Sequence, residues 1–107
     1  MNNTDKLVYR SYNNGRWYVV IRRNLGEKLW YCGYTTITKQ EAKHGGIIDV
    51  TYTGKAGDVG LAGIFDPNQL VAGVDTADPA TNWMTIADVI NLLGMAVSRI
   101  EENSKEE

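Results

Sequence analysis

What this 107-residue chain lacks narrows it first: it has one cysteine, one histidine and two prolines. A lone Cys32 cannot form an intramolecular disulfide, so the chain reads as a reduced, cytoplasmic-type protein. Cys32 and His44 together fall short of the several Cys and His ligands a zinc site uses, and no cofactor motif is present. No apolar run approaches the roughly 20 residues of a membrane span, and the first ten residues lack the apolar stretch of a signal peptide, so no membrane role is expected. No repeat or low-complexity tract interrupts the chain. At 43% hydrophobic and 22% charged residues, the composition is that of an ordinary globular protein. Its length suits one domain, so residues 1–107 read as a single unit with frayed ends at 1–5 and 102–107.

Charge is present in both signs but unevenly placed. Residues 1–44 carry eight Lys or Arg against three Asp or Glu, a net of +5, whereas residues 45–107 carry three against ten, a net of −7. The basic part is also rich in β-formers. Residues 7–12 end at Asn13-Asn14-Gly15, and Asn-Gly supplies the positive φ angles of a tight hairpin. The return run, 16–22, alternates Trp17, Val19 and Ile21 with Arg16, Tyr18, Val20 and Arg22. A turn over 24–28 leads to a third strand at 29–36. These three runs predict an antiparallel meander.

Thr38-Lys39-Gln40-Glu41 has the spacing of a capping box and predicts a helix of at most two turns, stopped at Gly45-Gly46. Residues 48–53 read as a strand. Glycines at 54, 57, 60 and 63 predict a loop or bulged hairpin leading into a short strand that ends near Phe65. Asp66-Pro67-Asn68 is a turn, residues 70–75 a last strand, and 76–82 a loop. The C-terminal helix is the strongest pattern. Thr85 is a good N-cap, Asp88 suits the positive end of the dipole, and Met84 with Val89 has the spacing of a hydrophobic staple. Ile86, Val89, Ile90, Leu93, Val97 and Ile100 form its apolar stripe, with Gly94 read as allowing close approach to a sheet. The predicted fold class is α+β: a curled antiparallel meander of five to six strands with one amphipathic helix packed on it. A homodimer through a sheet edge or the helix would supplement so small a core.

Few residues suggest catalysis. Cys32, set between Tyr31 and Gly33, reads as a small hydrophobe in a strand and not as the partner of His44 in a nucleophile pair. Asp75 and Asp78 have the strand-end placement of metal-binding or general-base carboxylates, yet they also suit the closing of a turn, the favoured reading. Lys55 in the glycine-rich run can meet an anion on a backbone nest, although the run matches no phosphate-loop pattern.

The aromatic set is the most unusual feature. Nine of the ten aromatics are Trp or Tyr, and Tyr9, Tyr12, Trp17, Tyr18, Trp30 and Tyr31 alternate with or adjoin Arg10, Arg16, Arg22 and Arg23. Exposed Trp and Tyr beside Arg is the composition of binding hot spots. Arg16, Trp17, Tyr18, Arg22, Arg23, Trp30 and Tyr34 are therefore the predicted binding residues. The overall negative charge counts against nucleic acid, and the basic half suits a partner protein with an acidic surface or a small anionic ligand.

The run Trp30-Tyr31-Cys32-Gly33-Tyr34 resembles a Trp-Tyr-Cys-Gly-Tyr signature of small bacteriophage and prophage proteins whose function is unsettled. Those proteins continue with a segment like His-Gly-Gly-(Leu/Ile)-Thr-Tyr and one like Gly-Phe-Asp-(Cys/Thr)-Ala-His, then a C-terminal helix. Here His44-Gly45-Gly46-Ile47, Thr51-Tyr52 and Gly73-Val74-Asp75-Thr76-Ala77 follow in that order, with an insertion before Thr51 and with Asp78 where the histidine would stand. The resemblance implies a phage-type accessory protein acting in the host cytoplasm. Combined with the absence of catalytic motifs, it leads to the expectation of a non-enzymatic inhibitor of a host defence system such as CRISPR. The alternative is an oligomeric protein that sequesters a small nucleotide or other anion.

Overall fold

The computed structural model describes residues 5–44, 50–78 and 83–105. The chain forms β1 (Lys6–Asn13), β2 (Arg16–Leu25), β3 (Lys28–Thr36), α1 (Lys39–His44), β4 (Tyr52–Lys55), β5 (Leu70–Asp75) and α2 (Ile86–Lys105). The predicted meander is there. Asn14 (φ 52°) and Gly15 (φ 80°) take consecutive positive φ angles. Such a two-residue turn fixes Asn13 opposite Arg16, and the ladder runs back from that pair to Lys6 and Arg22. One bulge, between Leu7 and Tyr9, interrupts it.

All five strands form one antiparallel sheet in the order β1-β2-β3-β5-β4. With the C-terminal helix this is the expected α+β class. Only the strand order beyond β3 departs from a simple meander, because the chain crosses over to lay down β4 at the far edge and then returns through β5 into the gap. The strand expected near Phe65 is absent too. Residues 56–59 form a 3₁₀ turn closed by Gly60 at φ 76°, and Gln69 and Pro67 carbonyls accept from the Ala56 and Gly57 N–H groups at 2.8 and 3.0 Å. Glycine at that left-handed position turns the segment back on itself, so its backbone bonds are satisfied within the loop and not in a ladder. The expected start of β4 at residues 48–49 and the Gly45-Gly46 stop lie outside the described residues.

The sheet is covered on both faces. Val20 and Val74 pack with Val89 and Leu93 of α2, and Ala72 with Ile37 and Ile100. On the other face Val19, Ile21, Cys32, Tyr34 and Val71 pack with Ala56 and Leu61 of the 56–69 loop, with Val59, Ile64 and Phe65 alongside. Close approach of α2 depends on Gly33: a Cβ there would lie 2.6 Å from Val89 Cγ1 and 2.8 Å from Leu93 Cδ1. Gly94, expected to serve this purpose, instead faces solvent with nothing near its Cβ position.

Both helix starts are built as their spacing predicts. Thr38 N–H donates to Glu41 Oε1 at 2.9 Å and Glu41 N–H to Thr38 Oγ1 at 3.1 Å. Asp88 and Thr85 repeat the exchange at 2.9 and 3.2 Å. Asp5 and residues 102–105, expected among the frayed ends, have defined places in the fold, and residues 1–4, 106 and 107 lie outside the described residues. The last helix continues to Lys105, and Asp5 is nearly buried with its carboxylate 2.7 Å from the Arg23 guanidinium. Among the described residues, no helix is long and apolar enough to cross a membrane.

Candidate interaction site

Strand alternation divides the predicted binding residues between the two faces. Arg16, Tyr18 and Arg22 follow the parity of Val20 and lie on the face covered by α2, whereas Trp17, Arg23, Trp30 and Tyr34 share the parity of Val19 and lie on the opposite one. They do not form one surface.

Two of the arginines are engaged in holding the fold. Arg16 grips Glu41 with both terminal nitrogens, Nη1 to Oε1 at 2.9 Å and Nη2 to Oε2, and also donates to the Thr36 carbonyl at 3.0 Å. Glu101 of α2 lies 3.7 Å from the same guanidinium. The hydrogen bond from Arg16 holds the Glu41 carboxyl below its usual range despite its burial. Arg23 donates to Asp5 at 2.7 Å, to the Val59 carbonyl at 2.8 Å and to the Tyr34 hydroxyl at 3.3 Å. Burial opposes its charge, but the bonds to Tyr34 and Cys32 more than offset that and raise its pKa above the usual value. Arg22 is half-buried, and among the described residues its Nε finds no partner, nor does Nε1 of half-buried Trp30.

Tyr34 is buried because its ring fills the space a side chain at Gly73 would take, 2.3 Å from that Cβ position. Each residue of the Trp-Tyr-Cys-Gly-Tyr run thus has a packing role: Trp30, Cys32 and Tyr34 sit beneath the loop, Tyr31 and Gly33 beneath α2. Lys55 is exposed at the end of β4, the edge strand furthest from β1, and is not brought near the arginines of β1 and β2.

Asp75 and the thiol match their structural readings. Asp75 Oδ1 accepts from Ala77 N–H at 2.8 Å, closing a turn. Asp75 also lines an open hollow of about 380 Å³ with Asp5, Arg23, Tyr34, Asp58, Val59 and Gly60. Cys32 is fully buried, and burial together with the charge of Asp75 pushes its thiol up to about 11. At neutral pH it is a protonated thiol, not a nucleophilic thiolate. The His44 side chain lies outside the described residues. Among those described, no group of three or more His, Cys, Asp or Glu side chains is placed to hold a metal ion.

Among the described residues the exposed aromatics are Trp83, just ahead of α2, and a pair at the β1–β2 edge. Trp17 is 39% exposed and Tyr12 61%. The turn places them directly opposite each other, with ring centroids 5.0 Å apart and tilted by 55°. The Arg10 guanidinium lies 5.6 Å from the Trp17 ring centre, within reach of a cation–π contact. This ridge separates two hollows. One, of about 450 Å³, is bordered by Tyr12, Asn14, Arg16, Trp17, Thr38 and Gln69 among others. The second, of about 170 Å³, lies between Arg10, Trp17, Ile64 and Phe65.

Of the predicted set, Trp17 stands on this ridge and Arg16 at the border of the larger hollow. Arg10, Tyr12, Ile64 and Phe65 complete the surface without having been singled out as site residues. The signal for Tyr12 was available, since a two-residue Asn14-Gly15 turn dictates that residues 12 and 17 face each other. No such signal exists for Ile64 and Phe65, which reach the site through a glycine-spaced loop whose apolar residues follow neither strand nor helix periodicity. No family model, no curated protein and no solved structure matches the chain.

Proposed function

We propose that the protein is a non-enzymatic binding protein whose Tyr12–Trp17–Arg10 ridge docks on an acidic surface of a partner protein, in the manner of a phage-type antagonist that covers a component of a host defence system such as CRISPR. The observation that carries this reading is Trp17: a large ring fixed between Tyr12 and Arg10, yet left in solvent between two hollows. Trp, Tyr and Arg dominate binding energy at interfaces, and Trp and Tyr bury large areas with few torsions to freeze. The phage-type signature at Trp30–Tyr34 and the buried, protonated Cys32 support binding over catalysis. Arg16 and Arg23, already matched to carboxylates, do not favour the alternative of a nucleotide-sequestering protein.

Affinity purification from a bacterial host should recover a stoichiometric partner whose retention falls with added salt. Trp17→Ala should weaken it by tenfold or more, as expected of a hot spot worth about 2 kcal/mol. A partner held equally well by Trp17→Ala, or no stoichiometric partner at all, would overturn the reading.

A further inference from the structure

β1 is an edge strand: in the order β1-β2-β3-β5-β4 it has, among the described residues, a neighbour on one side only. The Asn14-Gly15 turn makes Asn13 and Arg16 a hydrogen-bonded pair, and antiparallel ladders alternate, so Ser11–Tyr18 and Tyr9–Val20 are hydrogen-bonded too. The N–H and C=O groups of Arg10 and Tyr12 therefore point away from β2, toward the open edge. The bulge at Leu7/Tyr9 bounds this regular run at one end and the turn bounds it at the other. The run is residues 9–13, and its centre is Ser11.

We propose that this edge pairs with the same strand of a second copy of the chain, antiparallel, about a twofold axis through Ser11. That register places Arg10 opposite Tyr12 of the second copy and Tyr12 opposite its Arg10, so the two outward-facing residues on each strand exchange four backbone hydrogen bonds. Shifting the axis by one half-step would set outward groups against inward ones. Centring it on Arg10 would bring two guanidiniums face to face, and centring it on Tyr12 would run the pairing into the turn. Charge favours the same register. Arg10 is the one charged residue in the run, and the axis at Ser11 places it between its own Trp17 ring and Tyr12 of the second copy, both suited to a cation–π contact. Ser11 meets Ser11, small against small. Five residues a side is a small interface, below the ~1,200 Å² of standard complexes, so the dimer forms and dissociates in the micromolar range. The pairing uses the strand edge, and it does not depend on the partner-binding reading.

The test uses the full chain. Sedimentation should show an 11.9 kDa species giving way to one of twice that mass as concentration rises through micromolar values. Ser11→Cys should form an intermolecular disulfide under mild oxidation, because facing residues of a non-hydrogen-bonded pair have Cα atoms about 4.5 Å apart, within disulfide reach. Asn13→Cys should not, since the same register separates the two copies of residue 13 by more than ~10 Å. Buried Cys32 does not compete. Arg10→Pro removes an outward N–H while leaving the bonds to β2 in place, and should raise the dimer dissociation constant at least tenfold with unchanged circular dichroism. A monomer at every concentration, Asn13→Cys crosslinking as fast as Ser11→Cys, or an unweakened Arg10→Pro dimer would each overturn the proposal. Failure to recover a heterologous partner would leave these outcomes unaffected and would count against the binding role alone.

Discussion

The two faces of the sheet are sealed by different means. One lies under α2, whose apolar stripe meets Val20, Gly33 and Val74 in a seam whose buried side chains are aliphatic, with Tyr9, Tyr18 and Tyr31 packed partly exposed around it. The other lies under the 56–69 loop, which contributes Ala56, Leu61, Ile64 and Phe65 to a layer that also contains a thiol, a phenol and a guanidinium. A helix satisfies its own backbone and can offer a continuous apolar stripe, so it seals a face with side chains alone. A loop must first satisfy its backbone, here through the bonds of Ala56 and Gly57 to Gln69 and Pro67. It then seals with fewer residues and needs polar ties at its margin, such as Arg23 reaching the Val59 carbonyl. A rigid cover and a tied cover should respond differently to the same damage.

The largest expected effect tests that contrast directly. Leu93 and Leu61 are both essentially inaccessible, one under each cover. Leu93→Ala should cost about 4 kcal/mol, because a helix pinned over Gly33 cannot sink into the void, whereas Leu61→Ala should cost about 2.5 kcal/mol as the loop settles inward. Urea unfolding measures both, and equal losses would show that the loop is as rigid as the helix.

Next in size is the clamp at the edge of the helix-covered face. Glu41→Ala leaves half-buried Arg16 with only the Thr36 carbonyl and the more distant Glu101, and should cost about 3 kcal/mol at pH 7. Because Arg16 holds the folded-state pKa of Glu41 below its unfolded value, this stabilisation is complete above the ordinary carboxylate range and is lost as pH falls through the folded value. Wild type should therefore show a steeper acid decline than Glu41→Ala when stability is followed from pH 6 to pH 2.

The smallest effect separates the two glycines assigned to α2 packing. Gly94→Ala should stabilise by about 1 kcal/mol, raising Tm by about 5 °C, since the position is helical, exposed and unobstructed. Gly33→Ala should destabilise, because its methyl would enter Val89 and Leu93.

These elements also mark how far the sequence can be read. The Asn14-Gly15 turn, the Thr38/Glu41 and Thr85/Asp88 caps and the α2 stripe are local chemistry, and each is found where its spacing places it. Gly94 does not serve the close approach expected of it, because helical periodicity shows which residues lie on a face but not which strand atoms they meet, and the close approach is provided by Gly33. The insertion of β5 between β3 and β4 leaves no local trace, since the strand it joins is chosen by packing across the sheet. The candidate site was half legible for the same reason. Alternation and turn register identify Trp17 with Tyr12 and Arg10, but whether Arg16 and Arg23 are available depends on Glu41 and Asp5, whose proximity arises only in the tertiary fold.

The crossover between β3 and β5 has a kinetic consequence. β1, β2 and β3 are joined by tight turns and pair with their immediate neighbours in the chain, so the meander can assemble in microseconds once these residues are free. β5 must find β3 across the whole of α1, β4 and the glycine-rich loop, and that search carries a far larger loop-closure cost. The pairing that sets Trp17 opposite Tyr12 thus carries, with that of β2 and β3, the lowest closure cost in the sheet, and the pairing that completes the cover over both faces carries the highest.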